Sequence, residues 1–270
     1  MHIDQTINSR GGFNRLAIVN QKGGVGKTTT TINLATALAA LKRRVLVIDL
    51  DPQGNASTGL GIPKTQRVRT TYDVLMGAMT MEQAIVPTQV PGLSLVPSDI
   101  NLTGAELELV DQQDRAFCLR KRLSDISSDY DDLLIDCPPS LGLLTLNAMA
   151  AVNALLIPLQ CEFFALEGLS QLMETVERVQ QNFNPNLEIA GVLLTMYDQR
   201  NKLSAEVAAD VRAHFGSKVY DTIIPRNVRI SEAPSHGKPV LLYDHRSSGA
   251  RAYMRLVKEI CEKERRVIAI

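Results

Sequence analysis

Nowhere does this chain approach the roughly 18 consecutive apolar residues of a membrane-spanning helix. The richest stretch, Ala148 to Leu159, is interrupted by Asn153 and Pro158, so no integral membrane segment is expected. Cysteine is scarce: Cys118, Cys137, Cys161 and Cys261 form no C-x-x-C pair. A disulfide scaffold and a paired-thiol site are therefore not expected, and free thiols in a reducing cytoplasm are. The first fourteen residues are polar and lack the apolar core of a signal peptide. There is no internal repeat, no low-complexity tract and no linker rich enough in Pro, Gly or Ser to divide the chain. Net charge is also missing, with 29 Lys and Arg against 29 Asp and Glu.

What is present is ordinary globular composition, 45% hydrophobic over 270 residues, which excludes collagen-like and disordered classes. The charge is unevenly placed. Residues 1–199 hold 15 Lys and Arg against 21 Asp and Glu, net −6, while 200–270 hold 14 against 8, net +6. The C-terminal quarter is thus a candidate polyanion-facing surface.

Short runs rich in Val, Ile and Leu recur at Arg15–Asn20, Arg44–Asp49, Leu93–Val96, Asp132–Asp136, Ala154–Leu159, Ile189–Thr195 and Thr222–Ile224, and read as buried strands. Helical spacing of apolar residues lies between them: Leu34, Leu38 and Leu41 within Thr28–Leu41, then Leu166–Val179 and Leu203–Phe215. Alternating strands and helices predict a single α/β domain, a mostly parallel twisted sheet flanked by helices on both faces. The expected boundaries are a polar extension 1–13, the domain 14–266 and a tail 267–270. Open parallel sheets bind ligands beyond the carboxyl ends of their strands, so the loops after the strands are where function is expected.

The loop after the first strand, Gln21-Lys22-Gly23-Gly24-Val25-Gly26-Lys27-Thr28-Thr29, leads directly into a helical pattern. Strand, Gly-rich loop, Gly-Lys-Thr and helix in that order make a phosphate-binding loop. Glycines let backbone N–H groups curl around oxyanions, and the helix N-terminus adds partial positive charge. Lys27 neutralises β- and γ-phosphate charge, and Thr28 offers a hydroxyl to Mg²⁺. The loop departs from the standard pattern: Gln21 stands where a glycine is usual, and Lys22 is an extra lysine. Two later strands end in carboxylates, Asp49-Leu50-Asp51-Pro52 and Asp136-Cys137-Pro138-Pro139. Asp49 and Asp51 alternate onto one side, so either is able to orient water or Mg²⁺. Asp136, after the three apolar residues Leu133, Leu134 and Ile135, suits a carboxylate that holds Mg²⁺ through coordinated water. Asn201-Lys202-Leu203-Ser204 comes near a guanine-reading motif but ends in Ser, which lacks the paired acceptors a guanine ring requires, so ATP is favoured over GTP.

With its extra lysine, the loop resembles the deviant Walker A motif of the ParA/MinD ATPases. Lys22–Thr30, Asp49–Asn55, Asp136–Ser140, Cys161–Gly168 and Pro225–Pro239 together resemble the chromosome-partitioning ParA/Soj branch, across about residues 14–262. The resemblance implies a Mg²⁺-dependent ATPase whose ATP-bound form is a sandwich homodimer, with Lys22 reaching the partner subunit's phosphates. It implies Asp51 as the residue that positions the attacking water, Asp49 in support, and Asp136 as the Walker B aspartate. Pro225, Arg226 and Asn227 match the segment lining the adenine pocket, while Glu162 and Phe163 match a stretch near the nucleotide and the dimer face. Arg200 and Arg229 match basic positions used to hold double-stranded DNA without sequence preference, and Lys263, Arg265 and Arg266 are candidates to widen that strip. A ParB-type centromere-binding partner is implied as activator of hydrolysis, with a cytoplasmic, nucleoid-associated location and a chromosome or plasmid as cargo.

Two other classes share the loop. A MinD-like regulator of division-site placement needs a C-terminal amphipathic helix for the membrane. The stripe Tyr253, Leu256, Val257, Ile260 and Cys261 is read instead as a helix packed on the sheet, with Glu259, Glu262 and Glu264 opposing anionic lipid. An iron–sulfur relative needs suitably spaced cysteines, and Cys137 reads as a small apolar filler. Ser231, Glu232, Ser235 and His236 follow no nucleophile elbow, so a serine-hydrolase reading is set aside. His214 reads as a helix-end or surface residue.

Overall fold

The computed structural model describes residues 15–124, 126 and 129–268, the last five of them as backbone only. The extension 1–13, the end of the tail (269–270) and the side chains of Arg265 and Arg266 lie outside the described residues. Seven strands form one sheet: β1 Arg15–Ile18, β2 Val45–Asp49, β3 Val86–Pro87, β4 Leu93–Val96, β5 Asp132–Asp136, β6 Ala154–Gln160 and β7 Glu188–Thr195. Their order across the sheet is β3-β4-β2-β5-β1-β6-β7, and every pairing is parallel except β3 with β4. Every residue of β2 and β5 is buried, which explains why these strands read as unbroken apolar runs rather than alternating ones.

Successive side chains of a strand leave on opposite faces, and each face has its own core. Leu46 and Ile48 join one cluster, built with helices α2 (Leu143–Ala151) and α3 (Ala165–Asn182). Val45 and Val47 join the other, built with α1 (Lys27–Ala40) and α5 (Ser248–Ile268). Helix α4 (Lys202–Phe215) covers the β7 end with Val207, Ala208 and Val211. In α3 the buried residues Leu169, Leu172, Val176 and Val179 follow the spacing of one helical face. Helix α1 is buried almost throughout, because it lies between the sheet and α5, and its alanines and threonines permit close approach on both sides. Leu41, expected on its stripe, instead follows the last turn and is exposed. The C-terminal stripe Tyr253, Leu256, Val257 and Ile260 is buried, and the Tyr253 hydroxyl lies 3.4 Å from that of Thr30.

One expected strand is not a strand. The segment around Thr222–Ile224 runs beside β7, and Tyr220 and Ile224 donate to the Val192 and Leu194 carbonyls (3.0 and 2.9 Å). Between them the N–H groups of Asp221 and Thr222 turn to the Glu259 carboxylate of α5 (2.8 and 2.9 Å), and Pro225 has no N–H to give. The ladder therefore shrinks to isolated bridges at Val219 and Pro225. The two-residue β3 was not expected from the sequence, being too short to show a period.

Since Glu259 replaces sheet hydrogen bonds for this segment, Glu259→Ala should lower stability by about 1–2 kcal/mol while sparing nucleotide binding. Urea unfolding beside a nucleotide titration checks this; an unchanged midpoint contradicts it.

Candidate functional site

Parallel strands end together, so the loops after β1, β2, β5, β6 and β7 gather at one edge of the sheet. The loop after β1 is pinned from beneath: Asn20 Nδ2 donates to the Pro158 carbonyl (2.8 Å), and Thr195 Oγ1 donates to the Val25 carbonyl (2.8 Å). Gly24 and Gly26 adopt φ of +76° and +93°, where a Cβ is strained. A Cβ at Gly23 or Gly24 would meet no atom within 4 Å, so this part of the loop borders open space. Gly26 caps α1, whose first turn carries Lys27, Thr28 and Thr29. Lys27 is buried, and its Nζ donates back to the Lys22 carbonyl across the loop (3.2 Å). Burial lowers the pKa of this ammonium, and nearby Asp136 and Asp51 partly oppose that.

Below the loop lies Asp136, fully buried, with Thr28 Oγ1 donating to one carboxylate oxygen (2.7 Å) and Thr31 Oγ1 to the other (2.9 Å). Asp49 is its register partner on β2 and is equally buried. Asp49 accepts from the Ser57 N–H (2.7 Å) and hydroxyl (2.6 Å) on one oxygen and from the Asp51 N–H (3.3 Å) on the other. Its carboxylate is therefore occupied by hydrogen bonds within the loop that follows β2. Asp51, two residues further on, is also buried, and its Oδ1 accepts from the Gln53 N–H (2.9 Å). Burial, and for Asp136 next the charge of Asp49, push the carboxyls of Asp49 and Asp136 above the ordinary carboxylate range. Cys137, also wholly buried, belongs to the apolar cluster on the α2–α3 side.

Lys22 is held within its own chain: its Nζ lies 2.5 Å from Glu162 Oε2, in the loop after β6, and Gln160 donates to the other oxygen of Glu162. Beside this pair, Phe163 (75% exposed) and Phe164 (65%) meet edge to face, centroids 5.1 Å apart. The segment Pro225-Arg226-Asn227 lies one position further along the edge, with the Arg226 N–H donating to the Tyr197 carbonyl (3.0 Å). Asn227 uses its side-chain amide locally: Oδ1 caps the short helix Val228–Glu232, and Nδ2 donates to Ser248 Oγ (2.8 Å).

Of the expected basic strip, Arg200 and Arg229 follow β7 and this segment on the same edge. Arg200 makes a two-pronged pair with Asp198 (3.0 and 2.9 Å), which pulls that carboxyl down to about 2. Arg229 pairs with Glu232 (3.0 Å) and Asp244 (3.6 Å). Lys263 is not brought to them. Helix α5 starts at Ser248 beside Asn227 and leads away from the edge, so Lys263 lies roughly 22 Å along it. There it sits 4.2 Å from the centroid of the Tyr220 ring and 3.5 Å from Glu259. Sequence reasoning missed the partners that fix these side chains: Glu162 for Lys22, Ser57 for Asp49 and Thr31 for Asp136.

A carboxyl whose pKa is raised by folding stabilises the fold while protonated, and that contribution fades as pH rises toward the folded pKa. The ligand-free chain should therefore lose melting temperature between about pH 5 and 8, and Asp136→Asn should flatten that slope. Thermal unfolding of both proteins across the range checks this; parallel curves contradict it.

A profile for the family described as "AAA domain" matches residues 14–189. The chain is 62% identical over 252 residues to the chromosome partitioning protein ParA of Caulobacter vibrioides, covering 93% of this chain and 94% of that one. It is 53% identical over 245 residues to the sporulation initiation inhibitor protein Soj of Bacillus subtilis, covering 91% and 97%. Among solved structures, a cobyrinic acid a,c-diamide synthase from Mycobacterium smegmatis with bound ATP analog and magnesium superposes with a TM-score of 0.80 at 38% identity, covering 91% and 93%. The phosphate loop with its extra Lys22, the carboxylates beneath it and near-full-length identity to partitioning proteins lead to one conclusion: the chain belongs to the ParA/Soj branch of the ParA/MinD ATPases.

Proposed function

We propose that this chain is a nucleotide-gated DNA-partitioning switch, in which Mg-ATP drives two copies face to face, the pair holds DNA without sequence preference, and hydrolysis returns it to single copies. The observation that carries this reading is the condition of Lys22. Its ammonium is not aimed into its own phosphate loop but is held at the rim by Glu162, next to two exposed phenylalanines. A cation there is poised to exchange Glu162 for the phosphates of a second copy, in the manner of an arginine finger supplied in trans. Phe163 and Phe164 would be covered in the same contact.

In this reading the loop N–H groups and Lys27 bind the phosphates, with Lys27 giving up its bond to the Lys22 carbonyl. Thr28 and Asp136 suit Mg²⁺: a hydroxyl and a buried carboxylate already joined at 2.7 Å at the helix start. The ion, when bound, would neutralise charge developing between the β- and γ-phosphates. Asp51 is held by its backbone and by Gln53, and it orients the attacking water. Pro225 and Arg226 remain to face the base, since the Asn227 side chain is engaged elsewhere. The closed site needs both copies, so turnover and dimer lifetime are linked, and a ParB-type protein that favours the closed geometry would accelerate hydrolysis. ATP must favour the dimer over ADP by a few kcal/mol, because a ligand shifts states only by its differential affinity.

Arg200 and Arg229 supply the DNA-holding charge, with Lys263 left out on position. Contacts of this kind act on phosphates and read no bases. A MinD-like membrane role is disfavoured because the apolar face of α5 is already buried in the core formed with α1.

Lys22→Ala should bind ATP within about threefold of the parent affinity, since the lost charge belongs to the other site, yet remain monomeric. Sizing chromatography with ATP checks this, and a parental dimer peak contradicts it. Arg229→Glu should leave the dimer intact and weaken binding to every duplex by roughly tenfold or more at moderate salt. Unchanged retention on DNA would remove this arginine from the interface.

A further inference from the structure

Arg67 lies in the connection after the short helix Asn55–Gly59, and its burial needs explaining. It is 6% exposed, yet it makes no salt bridge among the described residues. A guanidinium removed from water is costly unless its donors are met. Here they are met by neutral oxygens: Nε and Nη2 donate to the Ile62 carbonyl (3.1 and 2.9 Å), Nη2 also to Thr58 Oγ1 (2.7 Å), and Nη1 to the Ser98 carbonyl (3.1 Å).

Two of these bonds begin paths that end on the same residue. Thr58 Oγ1, accepting from Arg67, donates to the Gly54 carbonyl (3.1 Å), and the Gly54 N–H donates to the Asp51 carbonyl (2.9 Å). On the other side, Ser98, whose carbonyl accepts from Arg67, donates its N–H to Ser57 Oγ (3.0 Å). That hydroxyl donates to Asp49, which accepts the Asp51 N–H on its second oxygen (3.3 Å). Every donor in both paths faces an acceptor, and they close on the backbone carbonyl and N–H of Asp51. Gly54 completes the fit: it has φ +62°, and a Cβ there would collide with the Arg67 guanidinium.

We infer that Arg67 is a positioning residue for hydrolysis, a buried fork that fixes the Asp51 backbone from both sides through Thr58–Gly54 and through Ser98–Ser57–Asp49. The planar guanidinium suits this task because it reaches three acceptors in fixed directions at once, which a lysine ammonium cannot do from the same stem. The consequence is specific. Nucleotide affinity, set by the phosphate loop on β1, should be nearly indifferent to Arg67, whereas the chemical step should depend on it, since small displacements of an orienting group cost much in rate.

This inference rests on Asp51 as the water-positioning residue, and the test separates the two. Mg-ATP affinity and single-turnover hydrolysis, with protein in saturating excess over ATP, are measured for the parent chain, Asp51→Ala, Arg67→Lys, Thr58→Val and the Arg67→Lys/Thr58→Val double variant. Expected are ATP affinities within about twofold of the parent, and hydrolysis reduced about tenfold in Arg67→Lys and severalfold in Thr58→Val. The double variant should be no slower than Arg67→Lys alone, because Arg67→Lys already releases the path that Thr58→Val cuts. If Asp51→Ala is inactive while Arg67→Lys and Thr58→Val hydrolyse at the parental rate, the inference is overturned and the reading of Asp51 survives. If Asp51→Ala itself turns over normally, that reading fails, and the inference with it. Thr58→Val keeps the guanidinium in place, so it decides the matter should Arg67→Lys not fold, and parental turnover in it then overturns the inference.

Discussion

A carboxylate kept out of water needs partners, and among the described residues Asp136 finds them on α1, in the hydroxyls of Thr28 and Thr31. That one contact ties the end of the strand β5 to the first turn of the helix that follows the phosphate loop. It holds the helix start that carries Lys27 and puts a hydroxyl and a carboxylate together beneath the loop, a donor pair of the kind Mg²⁺ takes. The sheet makes the contact possible. Because β1, β2 and β5 run parallel and adjacent, the loop, the pair Asp49 and Asp51, and Asp136 all reach one edge. The like charge of Asp49 beside Asp136 disfavours two ionised carboxylates in the ligand-free site. A divalent cation would reverse that preference.

Around this centre the side chains divide by task. Groups buried at the edge, Asp49, Ser57, Thr31 and Arg67, are satisfied by hydrogen bonds within the chain and set geometry. Groups at the rim, Lys22, Phe163, Phe164, Arg200 and Arg229, are exposed or held only by partly solvated ion pairs. Such pairs contribute little, about 0–1 kcal/mol each, and so are readily exchanged for stronger partners.

Much of this was legible in the sequence. The phosphate loop announces itself because glycine, lysine and threonine must stand at fixed spacing between strand and helix. The parallel strands show as apolar runs because both their faces are covered, and α3 shows because only one of its faces is. Thr222–Ile224 misled for a local reason: its apolar pattern matches a strand, but a carboxylate 37 residues further on takes the Thr222 N–H. Lys263 misled because its distance from Arg229 along α5 has no trace in sequence proximity. Arg67 carried no signal, and Glu162 was marked by resemblance but not as the partner of Lys22, since an arginine in a connecting segment and a glutamate after a strand are ordinary until their partners, 31 and 140 residues away, are placed beside them.

The central claim is that a triphosphate joins two copies of the chain and that only the joined pair grips duplex DNA. Its most direct measurement is the fluorescence anisotropy of a labelled duplex of arbitrary sequence, titrated with protein in Mg-ATP, in Mg-ADP and in EDTA, beside sedimentation of the same mixtures. Salt-sensitive binding is expected in Mg-ATP alone, at the protein concentrations where two copies sediment together. Binding of equal strength by a nucleotide-free single copy would contradict it.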